Sequence, residues 1–213
     1  MRKNAMIVIT TLLACLCIET TVNAQESQAG IKGGLNLSNM TVDDNDDGNL
    51  KVGFHVGVFD KIAVSEVFAI QPELLYSEKG MKFNYDESVI ADGDTKFRLK
   101  YIDLPVKLVF NLTENLNFQV GPYVSYLVKA NADTDADVFD AIDVDSDDEL
   151  DRDNFHSFDY GVTAGLGFDL DPIIVGINYD LGLNPVAKDD EAARDIIGDA
   201  KNTNIQVYMG FKF

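Results

Sequence analysis

Acidic residues at alternate positions form the most suggestive pattern for metal chemistry in the sequence. In the run Asp-Val-Asp-Ser-Asp-Asp-Glu, Asp143, Asp145 and Asp147 recur at every second residue. Carboxylates at this spacing begin the calcium loop of an EF-hand. However, Asp148 stands where that loop needs glycine, and Asn154 stands where it needs glutamate. The pattern therefore favours a solvated acidic loop, with loose Ca²⁺ or Mg²⁺ bridging as the alternative.

The two histidines give little support to enzymatic chemistry. His156 precedes Ser157, but neighbours on a strand point to opposite faces, so these two cannot form a nucleophile and base pair there. His55 lies in an alternating segment and is expected to fill an interior. Because no catalytic triad is arranged, the sequence predicts a protein that is not an enzyme and that needs no cofactor.

Strict alternation of apolar with small or polar residues organises the rest of the chain. Residues 158–168 and 173–184 each show it, and the Asp-Leu-Asp-Pro turn at 169–172 joins them. Period-2 alternation on both sides of a turn is the signature of a β-hairpin. Each arm has the length of a transmembrane β-strand, which is about 9–11 residues.

The same unit recurs and predicts eight strands. Their connections alternate between long and short, so the three short turns fall on the side of the two termini. Short periplasmic turns and long extracellular loops are typical of bacterial outer-membrane barrels. We therefore predict an all-β fold, an eight-stranded antiparallel up-and-down transmembrane β-barrel. The predicted strands are residues 30–40, 51–61, 68–85, 96–110, 116–130, 158–168, 173–184 and 203–213.

Two irregularities and the long connections complete the strand prediction. The apolar phase slips near Gly80, which predicts a β-bulge, and slips again at Tyr101 and Ile102. The long loop at residues 131–154 contains eleven acidic residues and one base, Arg152. A further long loop at 185–202 has room for one helical turn near 191–197.

The alternation alone does not decide which face is outside, and a soluble lipocalin-like cup with an apolar interior is the alternative. The mostly apolar face nevertheless suits lipid, because the other face is rich in glycine, asparagine and paired charges. Aromatic residues gather at both ends of the strands, as in the girdles of membrane barrels. Six phenylalanines lie at the turn ends and four tyrosines toward the loops: Phe68, Phe110, Phe118, Phe168, Phe211, Phe213, Tyr76, Tyr126, Tyr160 and Tyr179.

With the apolar face outside, charged residues must fill the narrow interior. Eight strands leave space only for side chains, and buried charges persist when they are paired. Glu73 and Lys107 lie on adjacent predicted strands, as do Asp159 and Asp180. This predicts a polar plug, with a gated ion or proton path as the alternative. The predicted lumen network is Lys32, Lys51, His55, Glu73, Asp103, Lys107, Asp159, Asp180 and Lys212.

The N-terminus and the net charge define the compartment and exclude some partners. Arg2 and Lys3, an apolar stretch at residues 5–18 and the Val-Asn-Ala sequence before Gln25 predict a signal peptide at 1–24 and one mature domain at 25–213. Both cysteines leave with this signal, so the mature chain has no disulfide. The formal net charge of −19 argues against binding to nucleic acid.

Glycine-rich stretches give the chain a family resemblance. They read Gly-Ile-Lys-Gly-Gly-Leu-Asn-Leu-Ser at 30–38, Gln-Pro-Glu-Leu-Leu-Tyr-Ser-Glu-Lys-Gly at 71–80, Tyr-Ile-Asp-Leu-Pro-Val-Lys at 101–107 and Gly-Pro-Tyr at 121–123, with a further stretch at 160–167. The chain resembles the PorT-like outer-membrane β-barrel family, which is common in Bacteroidetes and similar in shape to the OmpA and OmpX barrels. The resemblance implies the fold; some members are linked to protein secretion and gliding.

These observations lead to a small non-porin barrel of the bacterial outer membrane, a structural or surface-interaction protein with acidic extracellular loops. Its expected partners are the lipid bilayer, lipopolysaccharide and an unidentified extracellular ligand or protein. Cations could bridge the acidic loop to the phosphates of the lipopolysaccharide. A narrow pore or an accessory of an export system is the alternative. An outer-membrane lipid enzyme is a remote one.

Overall fold

The computed structural model describes residues 27–41, 50–85, 91–138, 142–149, 154–188 and 198–213. The predicted signal peptide and the predicted helical turn near 191–197 lie outside these residues. Among the residues described, no helix is long and apolar enough to cross a membrane. The described residues form nine strands: β1 Ser27–Thr41, β2 Lys51–Ser65, β3 Phe68–Tyr85, β4 Ala91–Asn111, β5 Leu116–Val138, β6 Ile142–Glu149, β7 Phe158–Asp169, β8 Ile173–Pro185 and β9 Lys201–Lys212.

Eight of these strands form a closed ring, which confirms the predicted fold. The order around the ring is β1, β2, β3, β4, β5, β7, β8 and β9, and β1 pairs with β9 to close it. Every pairing is antiparallel. Closure leaves no unpaired strand edge within the ring, as a hydrocarbon environment requires.

The ninth strand corrects the predicted loop at residues 131–154. Residues 131–138 continue β5, and they pair with β6 from Asn131–Glu149 to Val138–Ile142. β4 likewise begins at Ala91, five residues before its predicted start. Aspartate is depleted in strands, so the acidic composition favoured a loop. The hairpin forms nevertheless, because the antiparallel ladder supplies partners for its backbone groups.

The outward face of the ring is apolar, as the alternation predicts. On β7 the even positions are exposed and most odd positions are buried; Val162 and Phe168, for example, are 44% and 46% exposed. Phe68 and Phe110 are cross-strand partners in ring contact near the short turns. Tyr126 and Phe158 make a similar contact toward the loops. The outer wall is therefore an apolar belt with aromatic residues at both margins.

The predicted phase slips in β3 and β4 are wrong, because both strands keep one phase. The β3–β4 register runs without a shift from Leu75–Asp103 to Tyr85–Gly93. The irregularity lies between β4 and β5, where the register passes from Lys100–Lys129 to Tyr101–Leu127. Gly80 has a positive φ of 151°, but no bulge separates it from β4.

The continuous phase turns several large apolar residues inward at the loop end. They pack into a buried cluster that we call the apolar plug. Apolar side chains there bury one another instead of facing lipid, so the apolar residues that predict the two phase slips belong to a buried cluster and not to the outer wall. The plug comprises Met40, Met81, Phe97, Leu99, Tyr101, Leu127, Ala130, Phe155, Val186, Ala187 and Ala200.

The facing of the wall makes a testable prediction for arginine substitutions on β7. Val162→Arg should lower the free energy of unfolding by about 2–4 kcal/mol, because the charge would meet the middle of the bilayer. Phe158→Arg, on the same face but at the loop-side margin, should lower it by only about 0–1 kcal/mol. Reversible denaturant unfolding in lipid vesicles measures both. Equal losses would contradict the assigned height of the belt.

Candidate functional site

The lower half of the lumen, which is the half nearer the short turns, contains one glutamate between two lysines. Lys32 of β1 lies 3.0 Å from Glu73 of β3 (Nζ to Oε2), and Lys107 of β4 lies 3.0 Å from the other carboxylate oxygen. All three side chains are fully or almost fully buried. The sequence pairs Glu73 with Lys107, and the structure adds Lys32 from a third strand. We call this group the lower charge cluster.

Tyr208 covers the lower charge cluster from the turn side. Its ring centroid lies 3.9 Å from Lys32 Nζ and 5.8 Å from Lys107 Nζ, within the range of cation–π attraction. Gln119 donates a 3.1 Å hydrogen bond to the Tyr208 hydroxyl. A Cβ at Gly176 would come within 2.6 Å of the Tyr208 ring. The glycine therefore makes room for the aromatic ring inside the barrel.

The upper half of the lumen has one lysine among three carboxylates. Lys79 Nζ lies 3.0 Å from Asp103 Oδ2 and 4.9 Å from the centroid of the Tyr123 ring. Asp159 accepts a 2.8 Å hydrogen bond from the amide of Asn202. Asp180 accepts a 3.1 Å hydrogen bond from Asn204, and all of these residues are buried. We call Lys79, Asp103, Asp159 and Asp180 the upper charge cluster.

Sequence reasoning missed Lys79 because it assumed a slip of phase near Gly80. Lys79 shares its odd parity with Glu73 and Ser77, which also face the lumen. Reading β3 as a single phase through Gly80 finds Lys79 directly. The polar partners Asn202 and Asn204 share the even parity of Gln206 on β9, which the sequence reading left unused.

The other predicted lumen residues, His55, Lys51 and Lys212, are not members of either cluster. His55 is 1% exposed, and its Nδ1 lies 2.8 Å from Asn36 Oδ1. Lys51 lies 2.7 Å from Glu78 at the loop end. By contrast, His156 is exposed. The structure therefore places one histidine inside the barrel and the other on its surface.

Charged residues also cross the mouth at the turn end. Lys61 of β2 lies 2.8 Å from Asp169 of β7, and these strands lie on opposite sides of the ring. Lys212 lies 3.8 Å from Asp169 and 3.4 Å from the exposed Asp171. Inside this mouth, Phe59 packs with Ile174 and Tyr208. At this end of the barrel a layer of charged side chains therefore lies at the mouth, and a layer of apolar side chains lies just inside it.

Two small cavities lie among the described lumen residues. A cavity near the turn end, lined by Lys61, Gln119 and Lys212 among others, has about 10 Å³ for water. A second, between the two charge clusters and lined by Asp103, Lys107 and Tyr123, has about 10 Å³. Each volume is close to the ~10–15 Å³ that one water molecule needs. At these two places the arrangement holds charges in position and leaves room for about one water molecule.

The predicted metal positions are placed by their backbone alone. Asp143, Asp145 and Asp147 lie on β6, in register with Asp137, Asp135 and Asp133 of β5. Their side chains lie outside what the structure describes, so metal binding there stays a prediction. Among the described residues, no group of three or more histidine, cysteine, aspartate or glutamate residues is arranged to hold a metal ion.

Comparisons with known proteins return one domain family and several solved structures of low sequence identity. A family profile described as outer membrane protein beta-barrel domain matches residues 23–188. Ail, the attachment invasion locus protein of Yersinia pestis, is 17% identical over 88% of this chain and 99% of that chain, with a TM-score of 0.44. Neisserial surface protein A is 13% identical over 88% and 97%, with a TM-score of 0.43. No curated protein matches the chain.

The lower charge cluster makes a testable prediction about stability. Glu73→Gln should lower the free energy of unfolding by about 3–5 kcal/mol, because two buried lysines lose their shared counter-charge. Lys32→Met should be milder, since Glu73 keeps Lys107. Denaturant unfolding in lipid vesicles measures both, with the exposed turn variant Glu66→Gln as a control that should change by at most about 0.5 kcal/mol. A larger loss for Lys32→Met than for Glu73→Gln would overturn this account.

Proposed function

Since the chain belongs to the outer membrane protein beta-barrel domain family, we propose that it is a closed surface-interaction barrel whose extracellular sheet engages positively charged partners. The chain lies in the bacterial outer membrane, with its short turns toward the periplasm and its long connections outside. The observation that carries the proposal is the acidic strand extension beyond the ring. Membership of the narrower PorT-like family is part of this proposal. No residue of the extension points to a role in secretion.

The closed lumen supports an interaction role over a pore. Eight strands enclose only enough space for side chains, and both ends carry obstructions. The apolar plug lies at the loop end, and Lys61 and Asp169 cross the mouth at the turn end. A solute would have to displace packed apolar side chains and separate buried ion pairs. We propose that the lumen is a structural filling and that the protein is neither a channel nor an enzyme.

The extension rises well beyond the ring. The β5–β7 pairing ends at Tyr126–Phe158, whereas β5 continues for twelve more residues to Val138. At about 3.3 Å per residue, this is roughly 40 Å of strand. β3, β4, β5 and β6 pair side by side along it. A hydrogen-bonded sheet of this kind presents its residues on a more rigid support than a loop does.

The register of the extension concentrates acidic positions. One row across the sheet joins Asp92, Asp137 and Asp143, and the next joins Asp94, Asp135 and Asp145. Like charges at directly opposed positions destabilise a sheet. The same rows give a field that attracts and steers cationic partners. The acidic rows therefore set the sign of the partner's charge.

A cationic probe tests the interaction role. We expect a ten-residue lysine peptide to shift amide resonances of residues 131–149 in nanodisc-embedded protein, with an affinity that falls as salt rises. The triple variant Asp133→Asn, Asp135→Asn and Asp137→Asn should lose most of the shift. A wild-type spectrum that ignores the peptide, or a triple variant that responds equally, would contradict the proposal.

Calcium titration tests the predicted metal positions separately. If Asp143, Asp145 and Asp147 bridge Ca²⁺, the metal should give a saturable shift at β6 and raise the thermal midpoint. Replacing the three aspartates with asparagine should abolish both effects. A wild-type protein that does not respond to Ca²⁺ while binding the peptide would remove the metal prediction and keep the interaction role.

Conductance separates the interaction role from the pore alternative. Planar-bilayer recordings of the wild-type protein should show no steady channel, because the plug and the ion pairs fill the lumen. Glu73→Gln and Lys107→Met should leave the baseline unchanged. Unitary currents whose size or ion selectivity changes with these two variants would establish a conducting lumen and sink the closed-barrel proposal.

A further inference from the structure

The two charge clusters of the lumen do not balance one another. The lower charge cluster has one lysine more than it has carboxylates, whereas the upper charge cluster has two carboxylates more than it has lysines. Lys51 and Glu78, at the loop end, form a pair that is neutral as a unit. When all of these groups are ionised, one negative charge among the described lumen residues is therefore left without a counter-charge.

The other basic side chains described in the lumen do not supply the missing positive charge. The lysines at the turn-end mouth already pair with Asp169 and Asp171. The charged groups that interact most strongly with the ring of His55 are Lys32 and Lys107, and both would repel a positive charge there. An ionised carboxylate without a counter-charge is very costly in a buried site, and such a group instead becomes neutral by binding a proton.

Asp159 is the carboxylate whose partners suit a bound proton. Its Oδ2 accepts a 2.8 Å hydrogen bond from the amide nitrogen of Asn202, whereas its Oδ1 is buried and has no hydrogen-bond partner among the described residues. The amide oxygen of Asn202 is buried and unpartnered in the same way. Asp103, by contrast, has the Lys79 ammonium 3.0 Å away. Asp159 and Asn202 thus share one hydrogen bond, and each has one oxygen left over.

The electrostatic surroundings of Asp159 also oppose a charge on it. Carboxylates approach it from β4 and β8, and the one described cation beside it, from β3, already pairs with the β4 carboxylate. The facing side chain of β9 is the neutral amide of Asn202. The titratable groups that face Asp159 are Lys79 of β3, Tyr101 and Asp103 of β4, Tyr123 of β5 and Asp180 of β8.

We propose that the upper charge cluster is a proton-binding site, in which a proton held on Asp159 is donated to the side-chain oxygen of Asn202. A neutral carboxyl group has one donor and one acceptor oxygen, and a primary amide offers both a donor and an acceptor. The two side chains can therefore form two parallel hydrogen bonds, one in each direction. The proton pairs both leftover oxygens and removes the unbalanced charge. This site belongs to the lumen and is independent of the partner of the strand extension.

The bound proton makes folding depend on pH. The folded barrel holds a proton that an aspartate of the unfolded chain releases above its ordinary pKa of about 3.9. Because folding then takes up a proton, the equilibrium constant for unfolding should rise as the pH rises from about 5 to about 8, by up to about tenfold per pH unit. Reversible denaturant unfolding of the mature protein in lipid vesicles, repeated across this pH range, measures the effect.

Matched variants assign the effect to Asp159. Asp159→Asn keeps the shape and neutrality of the protonated side chain and can form both hydrogen bonds to Asn202. Its unfolding constant should vary less with pH than that of the wild type and should be smaller than the wild-type value at about pH 8. Asp171→Asn removes a carboxylate that is 89% exposed and should keep the wild-type pH dependence. An Asp159→Asn protein with the wild-type pH dependence, or one less stable than the wild type throughout, would overturn the proposal.

Infrared spectroscopy detects the proton directly in the folded protein. At neutral pH the wild type in nanodiscs should show the carbonyl band of a protonated carboxyl group, which should be absent from Asp159→Asn and present in Asp171→Asn. A wild type without this band, or a band that only Asp180→Asn removes, would contradict the assignment. The wild-type spectrum decides the question alone if Asp159→Asn does not fold.

An exchange of salts distinguishes a proton from a metal ion as the balancing charge. Replacing sodium chloride with choline chloride at constant pH and ionic strength should leave the unfolding constant of the wild type unchanged. A wild-type barrel that needs sodium for its stability at neutral pH would show that a metal ion balances the cluster and would overturn the proposal.

Discussion

Hydrocarbon offers no partner to a backbone amide or carbonyl, and the rest of this structure follows from that constraint. Every N–H and C=O at membrane depth must pair within the sheet, so the sheet closes. Closure with eight strands leaves an interior only as wide as its side chains. Charged residues turned inward must then neutralise one another across the axis. The shared Glu73 between Lys32 and Lys107, from three different strands, is the form that this neutralisation takes.

The same constraint makes the part of the barrel at membrane depth differ from the part at the loop end. At membrane depth the outside is apolar and the inside is polar, whereas the loop end has an apolar interior. The upper part is therefore organised like a water-soluble β-protein, with its core inside. Glycine makes room for a bulky residue inside the barrel, because a Cβ at Gly161 would come within 2.7 Å of the Tyr123 ring.

A feature of the fold or of the lumen could be predicted from the sequence when it depends on residues that are close together in the chain. The hairpin of β7 and β8 follows from alternation and a turn, and its predicted bounds differ from the observed ones by one residue at most. The pairing of Glu73 with Lys107 follows from adjacent strands. Lys32 joins them through register across the closed ring, which alternation does not encode. The predicted phase slips near Gly80 and at Tyr101 are wrong because an apolar residue carries no mark that distinguishes lipid from a buried plug.

The length of β5 has a mechanical consequence. This single strand of 23 residues runs from the short turn before Leu116 to the tip of the extension, and β4 pairs with it along nearly its whole length. A pull on the tip, directed along the strand, would load these hydrogen bonds in shear and all at once. Force on this tip would therefore pass into the wall of the barrel without first unravelling a flexible tether. The extension is built as a stiff lever anchored in the membrane.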